Sequence, residues 1–154
     1  QYDKGITPQY ASSKTMEQGI STSDSKLPAH QPSDYELVEI WETGRKVYIN
    51  NDVKFIFARG GDSWSSIAAD FEIYSWQLPK YNDLDKKTPP EPGEMIYIEK
   101  KKRKNKNVDR HTVRSGETMH AIAQQYGIRL KNLYRKNNMP EGINAEAGKV
   151  LKLN

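Results

Sequence analysis

Two stretches decide the fold of this chain: "RSGETMHAIAQQYGI" (residues 114–128) and "RGGDSWSSIAADFEI" (residues 59–73). Each contains a glycine turn, an acidic residue, a hydroxyl residue and then apolar residues at helical spacing. A shift of 55 residues aligns the two copies without a gap, residues 59–98 onto residues 114–153. A fixed offset over about forty positions predicts two copies of one structural module.

Most of the matching positions are glycines, which mark turns, or apolar residues at the spacing of a core. Similar pairs include Asp62/Glu117, Ser63/Thr118 and Phe71/Tyr126. Because glycines mark turns and apolar residues recur at core spacing, both copies are predicted to fold alike. Identical pairs include Gly61/Gly116, Ile67/Ile122, Ala68/Ala123, Ile73/Ile128, Leu78/Leu133, Asn82/Asn137 and Gly93/Gly148.

Each copy follows the pattern strand, helix, helix, strand. In the second copy, Thr118 is a good helix N-cap, and Glu117 adds negative charge where the helix dipole favours it. Gly127 is predicted to end that helix. Its apolar stripe is Met119, Ile122, Ala123 and Tyr126, a second helix carries Leu130, Leu133 and Tyr134, and the strands contain His111, Val113, Leu151 and Leu153.

The first copy keeps this pattern with two departures. Pro79 falls inside its expected second helix, which is therefore predicted to be shortened or distorted. Trp76 stands where the second copy has Lys131, at a position expected to face outward, and an exposed aromatic there is a candidate for ligand or domain contact. Trp64 could stack on a ligand, but its position favours the core. The apolar stripe is Trp64, Ile67, Ala68 and Phe71, and the closing strand carries Ile96 and Ile98.

The segments around the copies differ in composition. Two β-rich runs flank "NND", whose Asn residues tolerate positive φ, so a β-hairpin is predicted that could extend the first module's sheet. "KKKRKNK" has six Lys or Arg in seven positions and is expected to be solvated. The predicted organisation is a linker (1–33), a β-hairpin extension (34–58), a divergent module (59–99), a basic spacer (100–108) and a second module (109–154).

Composition narrows the classes of protein. The chain has 154 residues, 35% hydrophobic and 29% charged, with a formal charge of +4 and no cysteine. No disulfide can form, and a basic balance favours anionic polymers without specifying one. No apolar run is long enough for a membrane span or a signal peptide. Because the chain starts at Gln1, we expect it to be a piece of a longer or processed protein.

Catalytic interpretations are weaker than structural ones. "GDSW" contains a possible nucleophile, Ser63, but the repeat matches it to Thr118, which favours a helix N-cap. His30, His111 and His120 lack metal-ligand spacing. A glycosidase needs two carboxylates across a cleft, and modules of about 45 residues offer no scaffold for one. We therefore expect no enzyme activity, metal or cofactor in this chain.

The second copy resembles a lysin motif (LysM) domain over its whole length. The resemblance lies in "SGET", in "IA" and "YGI" of the first helix, in "L..L...N" and in the closing "G..LKL". The first copy resembles the family through "GDSWSSIA" and "PGEMIYI", with Phe71–Glu72 replacing "YG". The whole arrangement resembles the C-terminal region of secreted bacterial glucosaminidases, which are peptidoglycan hydrolases.

The resemblance implies an α+β architecture of two βααβ modules and a shallow groove between two loops in each. Such grooves bind glycans containing N-acetylglucosamine, mainly peptidoglycan and chitin. Carried onto this chain, the groove of the second copy is Gly116, Glu117, Thr118, Met119 and His120 facing Met139, Pro140, Glu141, Gly142 and Ile143. The weaker groove of the first copy is Gly61, Asp62, Ser63 and Trp64 facing Leu84, Asp85, Lys86, Lys87 and Thr88.

The function expected from the resemblance is targeting without catalysis. Loop backbone groups can meet the sugar acetamido group, while Met119, Met139 or Ile143 can meet its methyl. Two linked modules gain affinity by effective concentration, with the second copy expected to carry most of the binding. The expected partners are peptidoglycan or a chitin-like glycan and an attached upstream catalytic domain. The expected location is exported: periplasmic, cell-wall associated or extracellular.

Two alternatives belong to other classes. The chain could be a protein-interaction or domain-docking module that keeps the LysM fold without glycan binding, using the Trp76 surface or the hairpin. The basic spacer could instead attract anionic wall polymers, phospholipid head groups or nucleic acid. A nucleic-acid module usually adds aromatic or base-reading groups beside its charge, and the spacer adds only Asn105 and Asn107, so nucleic acid is the less favoured partner.

Overall fold

The fold is described by a computed structural model of the chain, which covers residues 30–154. The linker predicted for residues 1–33 lies outside this range except for its end, where Pro32–Asp34 forms a 3₁₀ turn. The rest of the structure contains two helix-and-strand modules.

The first module has a four-stranded antiparallel sheet with two helices. The strands lie in chain order, so β1 and β4 form its edges. Ile56 of the third strand pairs with Ile96 of the fourth. The elements are β1 (Glu36–Ile40), β2 (Lys46–Asn50), β3 (Val53–Phe57), α1 (Trp64–Phe71), α2 (Gln77–Tyr81) and β4 (Met95–Tyr97).

The second module is a βααβ unit with a two-stranded antiparallel sheet. His111 pairs with Leu151. These residues lie 55 positions after Ile56 and Ile96, which pair in the first module, so the two sheets have the same strand register. The α+β class and the βααβ pattern are thereby confirmed. The elements are β5 (Arg110–Thr112), α3 (Met119–Tyr126), α4 (Leu130–Lys136) and β6 (Val150–Lys152).

The predicted hairpin is formed by β2 and β3. Asn51 and Asp52 have φ of 54° and 59°, the left-handed values that a tight two-residue hairpin turn requires. Strand β3 also pairs with β4 and so is the opening strand of the first module. The hairpin and the first module therefore share a strand, which lies in the 34–58 segment.

The helix ends follow the repeat. The Ser63 and Thr118 hydroxyls accept the N–H groups of Ser66 and Ala121, each at 3.0 Å, which confirms both as N-caps. Gly127 ends α3 in the left-handed conformation, as predicted. The first copy places Glu72 in the same conformation, at φ 58°, where a side chain is unfavourable.

Each module has its own apolar core. Both predicted stripes face inward, although Tyr126 remains half-buried. Trp64 is 8% exposed and packs in the first core, as favoured from the sequence. The first core contains Val47, Ile56, Ala58, Trp64, Ile67, Ala68, Phe71, Leu78 and Ile96. The second contains Val113, Met119, Ile122, Ala123, Ile128, Leu133, Tyr134, Leu151 and Leu153.

The second helix of the first module is short, as predicted. Helix α2 has five residues, whereas α4 has seven. Pro79 is the third residue of α2, within the first turn, where a backbone N–H has no partner inside the helix in any case. The proline therefore removes no bond from the remaining helix.

The spacer is ordered, so the expectation that its lysines are all solvated is wrong for Lys101. Its side chain is fully buried, and Nζ contacts Asp83 Oδ2 at 2.8 Å and Gln124 Oε1 at 2.6 Å. Asn105 is also buried and donates its backbone N–H to Leu153 O at 2.7 Å. The spacer therefore packs between the modules.

Polar contacts dock the two modules against each other. The Gln124 side chain donates to Asn82 Oδ1 at 3.0 Å and to the Met95 carbonyl at 3.1 Å. The Tyr97 hydroxyl donates to the Gln124 carbonyl at 2.6 Å. Because these groups are buried, each would be costly to leave unpaired, and the relative orientation of the modules is fixed.

Candidate functional site

The two loops expected to form a groove are joined in each module. In the first, the Trp64 indole Nε1–H donates to the Thr88 carbonyl at 3.0 Å. In the second, the Met119 backbone N–H donates to Asn144 Oδ1 at 2.9 Å. The second module adds a bond from the Tyr134 hydroxyl to the Ile143 carbonyl at 2.6 Å. The strand–helix loop and the helix–strand loop thus lie side by side, as the resemblance implied.

The first module has a cavity of about 350 Å³ between these loops. Of the residues expected there, Ser63, Trp64, Lys86 and Lys87 line it. Gly61, Asp62, Leu84, Asp85 and Thr88 do not. Five further residues line it: Ser65, Ser75, Trp76, Pro79 and Pro89. The departures of the first copy, Trp76 and Pro79, are therefore wall residues of its groove.

The acidic residue of each groove motif points inward. The Asp62 carboxylate accepts Arg45 Nη1 and Nη2 at 2.8 and 2.6 Å and the Arg59 N–H at 2.7 Å. The Glu117 carboxylate contacts His111 Nε2 at 2.8 Å and accepts the Arg114 N–H at 2.7 Å. Both carboxylates are buried, so Asp62 holds its loop to the β1–β2 loop and Glu117 holds its loop to strand β5.

The pKa values of these carboxylates follow from their partners. The hydrogen bonds from Arg45 lower the pKa of Asp62 to about 2, against the opposing effect of burial. Burial acts to raise the pKa of Glu117, but the Arg114 N–H and the His111 ring outweigh it, and the net direction is down. Both groups are carboxylates near neutral pH.

Two other predicted groove residues of the second module lie elsewhere. The Met119 side chain is fully buried in the core, so only its backbone reaches the loop region. His120 is half-buried and its Nε2 lies 2.7 Å from the Asn82 carbonyl of the first module. His120 is therefore a docking contact, because it sits on the face of α3 that meets the first module.

The remaining predicted residues of the second groove are accessible. Met139 is half-buried against the core. Ile143 is 49% exposed, which gives this surface an apolar side chain. The exposed set is Gly116, Thr118, Pro140, Glu141, Gly142 and Ile143. Sequence reasoning missed Asn144, which bridges the loops, because the first copy has Pro89 at that position and the repeat therefore does not mark it.

Trp76 forms the exposed surface predicted for it. Its side chain is 59% exposed and stacks on that of Tyr74, with ring centroids 6.3 Å apart and planes 14° apart. Lys80 Nζ lies 5.8 Å from the Trp76 ring centroid. Flat aromatic faces of this kind suit the weakly apolar face of a sugar ring.

Residues 30–154 contain no group of three His, Cys, Asp or Glu side chains placed to hold a metal ion. The Ser63 hydroxyl, the possible nucleophile of "GDSW", caps α1. Among the described helices, none is long and apolar enough to cross a membrane.

Two small modules, each with its two loops hydrogen-bonded together and the first with a surface cavity between them, are typical of a binding module. Residues 59–99 and 111–154 both match the LysM domain. The chain belongs to the LysM family. LysM domains generally bind glycans, peptidoglycan among them, and occur in cell-wall-associated proteins.

The chain is also similar to two solved structures. One is the spore cortex-lytic enzyme SleL of Bacillus cereus, at 22% identity and a TM-score of 0.29, with 66% of this chain and 22% of that chain covered. The other is SleL of Bacillus megaterium QM B1551, at 20% identity and a TM-score of 0.28, with 64% and 22% covered. The matches span about a fifth of each enzyme. No curated protein matches the chain.

Proposed function

We propose that this chain binds glycans containing N-acetylglucosamine, in particular peptidoglycan, and holds an attached cell-wall hydrolase on its substrate in an exported, wall-associated protein. One observation carries the proposal: in both modules the loop before the first helix and the loop before the last strand are hydrogen-bonded together. In the first module a groove with tryptophan and proline walls lies between them.

The chemistry of the grooves suits a neutral sugar chain. Their accessible backbone groups can pair with an acetamido group, and Ile143 and Trp76 supply apolar contact surface. Each groove is shallow, so a single module binds weakly. Because the modules are docked in one orientation, the second binding event costs less entropy than it would with a flexible tether.

The proposal is tested by titrating the chain with a chitin hexamer, followed by calorimetry and by NMR shifts. Ile143 and Val150 are matched, since both are β-branched and 49% exposed, and only Ile143 lies in a predicted groove. We expect Ile143→Thr to weaken binding roughly threefold to tenfold, from lost apolar contact, and Val150→Thr to leave it unchanged.

Trp76→Ala should weaken binding of the hexamer, because it removes one wall of the first groove. Leu37→Ala, on strand β1, is the control and should leave binding unchanged. Added salt should change little, because the probe is neutral. A folded chain that does not bind the hexamer, or variants that bind like the unmodified chain, would contradict the proposal.

A second candidate function is protein docking through the edge of the first sheet. Among residues 30–154, strand β1 has a neighbour on one side only, and its Leu37 and Ile40 are 44% and 64% exposed. An extended peptide could add to such an edge. This function predicts that Ile40→Lys abolishes capture of the attached domain while chitin binding is retained.

A further inference from the structure

A cleft of about 430 Å³ lies at the junction of the two modules. One wall is α2 of the first module, another is the spacer, and the third is the start of α4. The side chains on which its chemistry depends are Trp76, Lys80, Asp83, Lys100, Arg129 and Lys131. The cleft exists only because the modules are docked, so neither module contains it alone.

The cleft concentrates the positive charge of the chain. Five basic side chains and one carboxylate line it, a net charge equal to the formal +4 of the whole chain. The carboxylate, Asp83, is already paired with Lys101 Nζ at 2.8 Å and accepts the Leu130 N–H at 3.0 Å. Among the described residues, Lys100 and Lys131 are exposed and make no ion pair, so they are available to an anion.

The cationic wall is held in place by the fold. The Arg129 Nε–H donates to the Lys101 carbonyl at 2.9 Å, and the Arg129 backbone N–H donates to the Lys102 carbonyl at 2.8 Å. Burial of Lys101 anchors the spacer between the modules. These bonds fix the backbone on either side of the cleft, so Lys100 and Lys131 project from defined positions on two of its walls.

The cleft adjoins the groove of the first module at Trp76. Trp76 lines both cavities, and no other residue is shared between their walls. A sugar chain that leaves the groove across the Trp76 ring would therefore bring its substituents to Lys80, Lys100 and Lys131. Neutral chitin has no charged substituent to place there, whereas a peptidoglycan strand carries carboxylates on the stem peptides that are joined by amide bonds to its lactyl groups.

We propose that this junction cleft is a carboxylate-binding subsite, which takes the acidic peptide branches of a peptidoglycan strand whose sugars lie in the first-module groove. The inference rests on the proposed glycan-binding function and specifies its ligand. The fold then distinguishes peptidoglycan from chitin at the junction, while the grooves bind the sugar units common to both.

The experiment compares two probes of equal sugar length at low salt: a chitin tetrasaccharide, and a peptidoglycan tetrasaccharide carrying its stem peptides. We expect the full chain to bind the peptidoglycan probe roughly threefold to tenfold more tightly. The excess should vanish in Lys100→Gln/Lys131→Gln, while chitin affinity stays unchanged. The control Lys46→Gln/Lys152→Gln removes two exposed strand lysines of equal charge and should keep the excess.

The outcomes separate this inference from the proposed function. If chitin binds but the peptidoglycan excess is absent, or persists in Lys100→Gln/Lys131→Gln, the subsite is overturned and the grooves stand. If neither probe binds, the glycan function fails and the subsite fails with it. If inorganic polyphosphate displaces the peptidoglycan probe while chitin does not, the cleft is a general polyanion site and the carboxylate assignment is wrong.

Discussion

At the scale of single residues, the acidic residue after each glycine turn has a buried side chain that binds a basic residue of its own module. Asp62 binds Arg45 from the loop between β1 and β2, and Glu117 binds His111 of β5. Each carboxylate also accepts the backbone N–H three residues before it. The two copies thus use different partners for one task, which explains why an acidic residue occupies this position in both.

The pairing of Asp62 with Arg45 predicts a dependence of stability on pH. The Arg45 guanidinium lowers the pKa of Asp62 to about 2, from a usual value of 3.8. Between pH 2 and pH 4 the Asp62 carboxyl binds more protons in the unfolded chain than in the folded one. Its contribution to the free energy of unfolding is therefore complete above about pH 4 and falls as the pH decreases towards 2. We expect about 2 kcal/mol to be lost over this window.

Urea unfolding of Asp62→Asn across pH 2–6 measures this contribution. The variant should be less stable at pH 6 by about the same amount and should lose that part of the pH slope. Glu42→Gln, an exposed carboxylate without a described partner, should keep the slope of the unmodified chain. Parallel curves for Asp62→Asn and the unmodified chain would refute the prediction.

At the scale of elements, one asparagine joins the second helix of each module to its closing strand. Asn137 Oδ1 accepts the Lys152 N–H at 2.7 Å, and its Nδ2 donates to the Leu133 and Lys152 carbonyls at 2.9 and 3.0 Å. Asn82 makes the same three bonds with Leu78 and Tyr97. The identity of this pair in the repeat therefore has a structural cause.

Removing this link should loosen the second module. Asn137→Ala removes three hydrogen bonds to backbone groups, two of which water can reach, and we expect the free energy of unfolding to fall by about 1–2 kcal/mol. Asn132→Ala, on the same helix and without a described side-chain bond, should change it by less than about 0.5 kcal/mol. Denaturant unfolding measures the free energy of unfolding of both variants. Equal losses would contradict the prediction that the Asn137 hydrogen bonds stabilise the module.

At the scale of the whole molecule, docking depends on a buried lysine. Lys101 joins Asp83 of the first module to Gln124 of the second. Burial lowers its pKa, and the Asp83 carboxylate opposes that shift. Close packing supports the contact, since a Cβ added to Gly127 would lie 2.9 Å from Asn51 Cβ.

Loss of the lysine should uncouple the modules. Lys101→Met keeps the length of the side chain but leaves Asp83 and Gln124 partly unpaired, and we expect a cost of about 2 kcal/mol. Calorimetry should show one transition for the unmodified chain and a lower, broadened or split transition for the variant. Lys100→Met, the exposed neighbour, is the control. A single transition at an unchanged midpoint in Lys101→Met would mean that the docking does not depend on this lysine.

The sequence by itself determined the two modules, their helix caps, their apolar stripes and the outward position of Trp76. Those features depend on contacts between residues a few positions apart, and the same pattern occurs in both copies of the repeat. Only the tertiary structure decided that Asp62 and Glu117 turn inward, that His120 faces the other module and that Lys101 is buried. Each of these depends on a distant partner, and a run of lysines that should repel can still bury one whose charge Asp83 neutralises.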